Sequence, residues 1–458
     1  MQAFQHLIGK IRQAWAEVLF SLLAAGGLAA AFFSWYSHHP PQQTTDTVCA
    51  ALSALLFLAV LIRMLPGWIK EIRHPAQEKQ KAEKNPKYAH LKALGLFFLC
   101  LILQTALATG IRLLTRYDTD FWATFRIYVG LDANSYLSIA REGYAHLSDT
   151  GEMLHLVFFP GYPVLTGLFM MVIPNQVLCG FLAAWLPFLA SGPVLYDLLR
   201  LDYGHKETMR ILILFCLAPA SVFYAWPMSE SLFVLCAAGC LYLARTRRWF
   251  AAGIAGMLAA FTRSLGGLLL VPLAFEWWRQ FRRSNRELRP VKQSIRDGCC
   301  MLLVPLGLVL YLYINFIYTC DPFMFIQYQN SNWYQHLSWF FITASTQADY
   351  AAGALLNGDR SFWGLWLPNL AVGFSSLLLM LASGKKLWPG YSAWFPFYFA
   401  VSYGASWLLS GPRYMAVFFP LAIAAETLPV RRKWILYIIA LPITAAYTVM
   451  FALRWSVW

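Results

Sequence analysis

Charge is what this chain has least of. Of its 458 residues 13% are charged, and acidic residues are the rarer sign, 22 against 36 Lys and Arg. Beside a hydrophobic content of 59%, that scarcity excludes an ordinary soluble domain and a disordered chain, and leaves an integral membrane protein with many crossings. Long polar and low-complexity tracts are missing too, so no soluble catalytic domain is expected. The nine cysteines are scattered, mostly inside apolar stretches, with neither a disulfide framework nor zinc spacing. Adjacent Cys299 and Cys300 read as small apolar filling. No internal repeat is evident, which disfavours a transporter built from inverted repeats.

What is there instead is hydrocarbon. Apolar stretches of roughly 15 to 24 residues, the length that crosses about 30 Å of lipid, recur about thirteen times. They fall near 13–36, 47–66, 91–113, 176–198, 209–226, 231–244, 249–262, 264–280, 297–319, 361–382, 390–409, 413–428 and 434–453. The first follows Lys10 and Arg12 and reads as an uncleaved anchor. The net charge of +14 reflects membrane orientation rather than nucleic-acid binding, because Lys and Arg gather in cytoplasmic loops. With a cytoplasmic N-terminus, all but eight of the 36 basic residues lie in inner segments. The eight are Arg112, Arg116, Arg126, Arg141, Arg263, Arg360, Arg413 and Arg454, at or near the outer face. This orientation requires residues 153–173 to return to the outer face, since a crossing there would turn every later basic cluster outward. The expected fold is an all-α polytopic membrane protein with one domain over 1–458. A first outer loop, 114–175, would hold juxtamembrane or re-entrant helices, and a second, 320–360, short helices lying on the membrane. The polar inner segment 67–90 reads as a solvated helix beside the anionic inner leaflet.

Against this background one carboxylate stands out, Asp132 in Leu131-Asp132-Ala133-Asn134-Ser135-Tyr136. An acidic side chain at a bilayer surface is a default candidate for chemistry. The same topology brings Glu230, Arg263 and Arg413 to that side, within Ser229-Glu230-Ser231, Thr262-Arg263-Ser264 and Gly411-Pro412-Arg413-Tyr414. The planar fork of an arginine suits a phosphate oxygen pair. Each residue also has a structural reading. Asp132 can be an N-cap to Asn134 or Ser135, Glu230 a hydrogen bond to a turn, and Arg263 an anchor to phospholipid headgroups or a partner of Glu230; Arg413 reads as Arg263 does. His146 and His155 lack metal-ligand spacing and read as solvated loop histidines. Asp118 and Asp120 neighbour Asp132 without a spacing that requires a cation.

In chain order, the Asp132 segment ending in Gly143-Tyr144, then Phe158-Phe159-Pro160-Gly161-Tyr162-Pro163, Ser229-Glu230-Ser231-Leu232-Phe233, Thr262-Arg263-Ser264-Leu265-Gly266, Asp321-Pro322-Phe323 and Arg413-Tyr414 resemble the PIG-V-like mannosyltransferase family. That family is related to GPI mannosyltransferase II within the GT-C class of membrane glycosyltransferases. The resemblance spans about residues 130–425, and the compact outer loops look like those of a bacterial member. The chain departs from the family pattern at Leu131, Gly161, Met228 and Leu265, where Trp, an aliphatic residue, Tyr and Asn are usual.

The resemblance implies a GT-C-like bundle of about 13 transmembrane helices. It also implies an inverting transfer of a hexose, mannose, from a polyprenyl-phosphate donor to a hydroxyl of a glycan, lipid or protein acceptor, on the extracytoplasmic face of the cell membrane. In that reading Asp132 is the catalytic general base, and Arg263, Arg413 and Tyr414 bind the donor phosphate, whose growing charge the arginines offset. Glu230, Ser229 and Asp321 supply a second acid or acceptor contacts, and Tyr136, Tyr144 and Tyr162 line the substrate. No cofactor, metal or nucleic acid is implied. Trp333 and Trp339 read mainly as interfacial anchors. Two alternatives stand beside this reading: a transporter or flippase of a lipid-linked glycan, and a non-catalytic partner in glycan assembly.

Overall fold

The computed structural model describes residues 2–39, 43–75, 85–116, 125, 128–148, 151–284 and 291–457. Three long helices open it: α1 (Gln2–His38), α2 (Thr44–Arg73) and α3 (Ala89–Leu114). Short pieces follow, α4 (Asp132–Glu142), a 3-10 turn at Leu154–Val157 and α5 (Gly161–Met170). The centre is built from α6 (Gln176–Leu199), α7 (His205–Cys216), α8 (Glu230–Arg245), α9 (Trp249–Thr262), α10 (Leu270–Ser284), α11 (Val291–Cys300) and α12 (Leu303–Thr319). Then come α13 (Met324–Trp333), α14 (Phe340–Leu356), α15 (Leu367–Ser383), α16 (Pro389–Ser402), α17 (Gly411–Ala416), α18 (Pro420–Glu426) and α19 (Val430–Ala452). No strand forms among the described residues; one isolated bridge joins Leu337 and Ala405.

The protein is thus an all-α polytopic membrane protein, with seven helices long and apolar enough to cross a bilayer among the described residues. An eighth span arises if α7 and the 3-10 segment Pro219–Ala225, bent by 83°, count as one. The expected spans at 231–244, 249–262, 264–280, 390–409 and 413–428 are shorter or broken helices. Hydropathy detects apolar runs but not the breaks within them. Such breaks survive at membrane depth because the surrounding protein satisfies the freed backbone groups.

Helix α8 is the hub, packed between α6 and α9 and buried at both ends from Glu230 to Arg245. A carboxylate at its first turn and a guanidinium at its last agree with the helix dipole. At the far end Arg245 bonds both oxygens of Asp202, at 2.5 and 2.7 Å, while Arg279 pairs with Glu276 at 2.5 Å. This buried neutral cluster ties α8 to the α6–α7 turn and to α10.

Helix α5 has ten residues, about 15 Å at 1.5 Å per residue, half of what a crossing needs. The second outer loop differs from expectation. Only α13 lies as a short, unburied helix. The chain then dips: the Phe340 ring meets Phe57, well inside α2, at 4.5 Å, and α14 runs back along α2 until Asp349 accepts from Gln43 Nε2 at 3.1 Å. Phe340, Phe341 and Thr343 supply the buried face that draws this loop inward.

Candidate functional site

Four local breaks in regular structure build the site. Leu131 has φ 59° and ψ −139°, a strained backbone for a branched side chain that persists only when its surroundings impose it. The turn makes Asp132 the first residue of α4 rather than its cap; Asn134 N–H donates to the Leu131 carbonyl at 3.1 Å, and no side-chain cap forms. The Asp132 carboxylate is left for a tertiary partner. Glu230 is aimed by the 83° bend after α7, which starts α8 on a buried residue that is 1% exposed.

Arg263 is where α9 stops: its backbone is extended, and Gly266 N–H donates back to its carbonyl at 2.9 Å. A Cβ on Gly266 would lie 2.3 Å from the Ala260 nitrogen, so this reversal admits only glycine. Gly161 works similarly, since a Cβ there would stand 2.3 Å from Thr262 Oγ1. The departure from an aliphatic residue at this position therefore lets α5 close against the Arg263 turn.

Arg413 is placed by a strap over residues 403–411 that buried amides hold in irregular form. Gln347 Nε2 and Asn369 Nδ2 both donate to the Leu408 carbonyl, at 2.8 and 2.9 Å. Asn369 Oδ1 accepts from Gly411 N–H at 3.0 Å, the first residue of α17. Tyr224 OH then donates to the Ala416 carbonyl at 2.8 Å and Tyr398 OH to the Tyr414 carbonyl at 2.9 Å.

Together these elements bring the four charges into one cluster. Glu230 Oε1 stands 2.5 Å from Arg263 Nη1 and 2.6 Å from Arg413 Nε. Arg413 Nη2 donates to Asp132 Oδ2 at 2.8 Å. Arg263 Nη1 also reaches Ser229 Oγ at 3.3 Å, and Ser229 meets Tyr136 OH at 3.3 Å. Each guanidinium lies over a ring, Arg263 over Tyr414 at 5.2 Å and Arg413 over Phe223 at 5.4 Å. Two negative and two positive groups make the cluster formally neutral. Burial, and then the nearby Asp132 charge, push Tyr136 up to about 12, so its hydroxyl stays protonated.

The cluster borders a cleft of about 560 Å³, within the range of small-molecule sites. Asp132, Arg263, Arg413, Tyr136, Ser229 and Tyr414 line it. Its lining also includes apolar groups, Phe158, Phe159, Leu265, Ile326, Val401 and Leu409, and polar and aromatic groups, Gln329, Trp333, Gln335, His336 and Trp407.

The structure separates the remaining expected site residues from this cleft. Asp321 is not among its lining residues: its carboxylate accepts from Phe323 N–H and Gln327 Nε2 at 2.8 and 2.9 Å, in the turn that leads into α13. Tyr162 is buried behind Tyr136, ring centroids 5.2 Å apart, and donates to the Gly180 carbonyl. Tyr144 donates to the carbonyl of the lining residue Phe158 at 2.8 Å. Trp333 belongs to the cleft, whereas Trp339 stacks on Phe341. His155 is half-buried rather than solvated, stacked on His146 with centroids 5.1 Å apart; burial, and then that neighbour, lower its pKa. Among the described residues no group of three His, Cys, Asp or Glu is arranged to hold a metal ion; Asp118 and Asp120 lie outside them. Sequence reasoning missed Gln347 and Asn369, although an amide inside an apolar run is itself a signal of a buried polar role.

Fold and site together define a polytopic all-α membrane protein with a paired-charge cleft between short, broken helices. Comparison of the sequence with curated proteins adds a likeness. Over 209 residues, 42% of this chain, it is 30% identical to GPI alpha-1,6-mannosyltransferase 2 of Mus musculus and 31% identical to the protein of that name from Cricetulus griseus. The Rattus norvegicus protein is 30% identical over the same length. The chain spans about 40% of the length of these relatives. Over that stretch the chain is similar to these mannosyltransferases. No family profile matches the chain, and no solved structure matches it.

Proposed function

We propose that this protein is an inverting glycosyltransferase that moves a hexose, mannose by analogy with its relatives, from a polyprenyl-phosphate donor to an acceptor hydroxyl on the extracytoplasmic side of the membrane. The observation that carries the reading is the meeting of one partly exposed carboxylate with two buried guanidiniums in a cleft that is also lined by apolar groups. The apolar lining suits a prenyl chain, and the arginine forks suit its phosphate. Asp132 takes the proton of the acceptor O–H as that oxygen attacks the anomeric carbon. The bond from that carbon to the phosphate oxygen breaks, and the electron pair leaves with the lipid phosphate, which gains a second negative charge. Arg263 and Arg413 stabilise that charge from fixed positions in a site shielded from water, where such interactions are strongest. The amide and indole groups of the lining, Gln329, Gln335, Trp333 and Trp407, suit an acceptor that presents hydroxyls.

The test is transfer by the purified full chain supplied with polyprenyl-phosphate mannose. Asp132→Asn keeps the shape of the side chain and removes the base, so transfer should fall by a factor of about 100 or more. Turnover equal to wild type would remove Asp132 from the role.

A further inference from the structure

We infer that a donor phosphate takes the place of Asp132 on Arg413, so that donor binding frees the Asp132 oxygen that Arg413 holds. This rests on the phosphate reading above and adds an order of events to it.

The starting point is a conflict within the site. A general base needs a free oxygen facing the acceptor, and one of the two Asp132 oxygens, Oδ2, is already taken, accepting from Arg413 Nη2 at 2.8 Å. Arg413 is shared by two carboxylates, with Glu230 Oε1 2.6 Å from its Nε. The two are held very differently. The Glu230 side chain is 1% exposed and grips both arginines through one oxygen, whereas the Asp132 side chain is 35% exposed. Asp132 also sits at the first turn of a short helix whose preceding residue is strained. An anion entering the cleft meets Asp132 as the weaker and outer of the two partners. Glu230 keeps the guanidinium in place while its outer edge changes hands.

The charge count points the same way. The empty cluster is neutral, with each guanidinium already matched by a carboxylate. A phosphate that takes the Asp132 side of Arg413 gains a fork of donors and returns Asp132 to solvent as an unpaired carboxylate next to the bound donor. Without a donor, Oδ2 stays bound to Arg413 and the carboxylate keeps its charge matched by that guanidinium.

The experiment is isothermal titration of the purified full chain in detergent with farnesyl phosphate, using farnesol as the control. Asp132→Asn, and as a second variant Asp132→Ser, should bind farnesyl phosphate about fivefold more tightly than wild type, the scale of a partly exposed ion pair. In an Arg413→Lys background, where a point charge replaces the fork, the same changes should improve affinity less than about twofold. An equal gain in both backgrounds means that Asp132 merely repels anions, and overturns the handover. No gain in either, with Arg263→Ala still weakening the probe, overturns the handover and leaves the phosphate reading standing. If wild type binds farnesyl phosphate no better than farnesol, the phosphate reading fails and takes the handover with it.

Discussion

At the scale of single residues, Glu230 and Asp132 are both carboxylates facing arginine, and the structure gives them different work. Glu230 Oε1 lies between Arg263 Nη1 and Arg413 Nε in a place almost closed to solvent. Its removal leaves two buried guanidiniums with only Asp132 to balance them, and breaking a buried pair from one side is strongly destabilising. Glu230→Gln should therefore lower the stability of the detergent-solubilised protein by about 3 kcal/mol, read as a fall in melting temperature. Asp132→Asn should melt close to wild type, because its partner Arg413 keeps Glu230. If both variants melt alike, the distinction between an embedded anchor and an accessible base is wrong.

At the scale of elements, the site depends on segments that are not helices. The strap 403–411 has irregular backbone inside an apolar bundle, where every carbonyl and amide needs a partner. Gln347 from α14 and Asn369 from α15 meet that need, and Asn369 alone joins Leu408 to Gly411, two residues before Arg413. Asn369→Leu should weaken farnesyl phosphate binding roughly tenfold, the scale of one or two lost buried hydrogen bonds. If Asn369 acts by placing Arg413, that loss should shrink in the Arg413→Lys background. A loss of equal size in both backgrounds would mean that Asn369 supports the fold generally.

At the scale of the whole molecule, the paired-charge cleft and the Arg245–Asp202–Glu276–Arg279 cluster cap opposite ends of α8. The 16 residues between them amount to about 24 Å of helix. Orientation can be read with two cysteines at opposite ends of α12: Cys299 and Cys320 are both exposed. Basic residues around 279–296 argue for an inner face there, and hence for an outer face at Cys320. In variants that keep one cysteine each, a membrane-impermeant maleimide should label Cys320 in intact cells and Cys299 only after permeabilisation. The reverse pattern would turn the cleft to the cytoplasm and exclude an extracytoplasmic donor.

Composition and charge order determined the class of protein, its helical character and four of the residues that meet in the cleft, because hydrocarbon makes any ionisable group near it conspicuous. Asp132, Glu230, Arg263 and Arg413 were legible for that reason. Pairing was not legible. Whether Arg263 meets lipid or Glu230, and whether Asp132 caps its helix or meets Arg413, depends on backbone turns at Leu131, Gly266 and the α7 bend. Asp321, Tyr144 and Tyr162 share motifs with cleft residues yet face elsewhere, since sequence order carries no side-chain direction across a break. The dip of 334–340 and the amide clamp on the strap are long-range contacts between segments that each look unremarkable alone. Hydrophobicity is additive along a chain and can be read from it, whereas the partner of a buried polar group is chosen only when distant segments pack together.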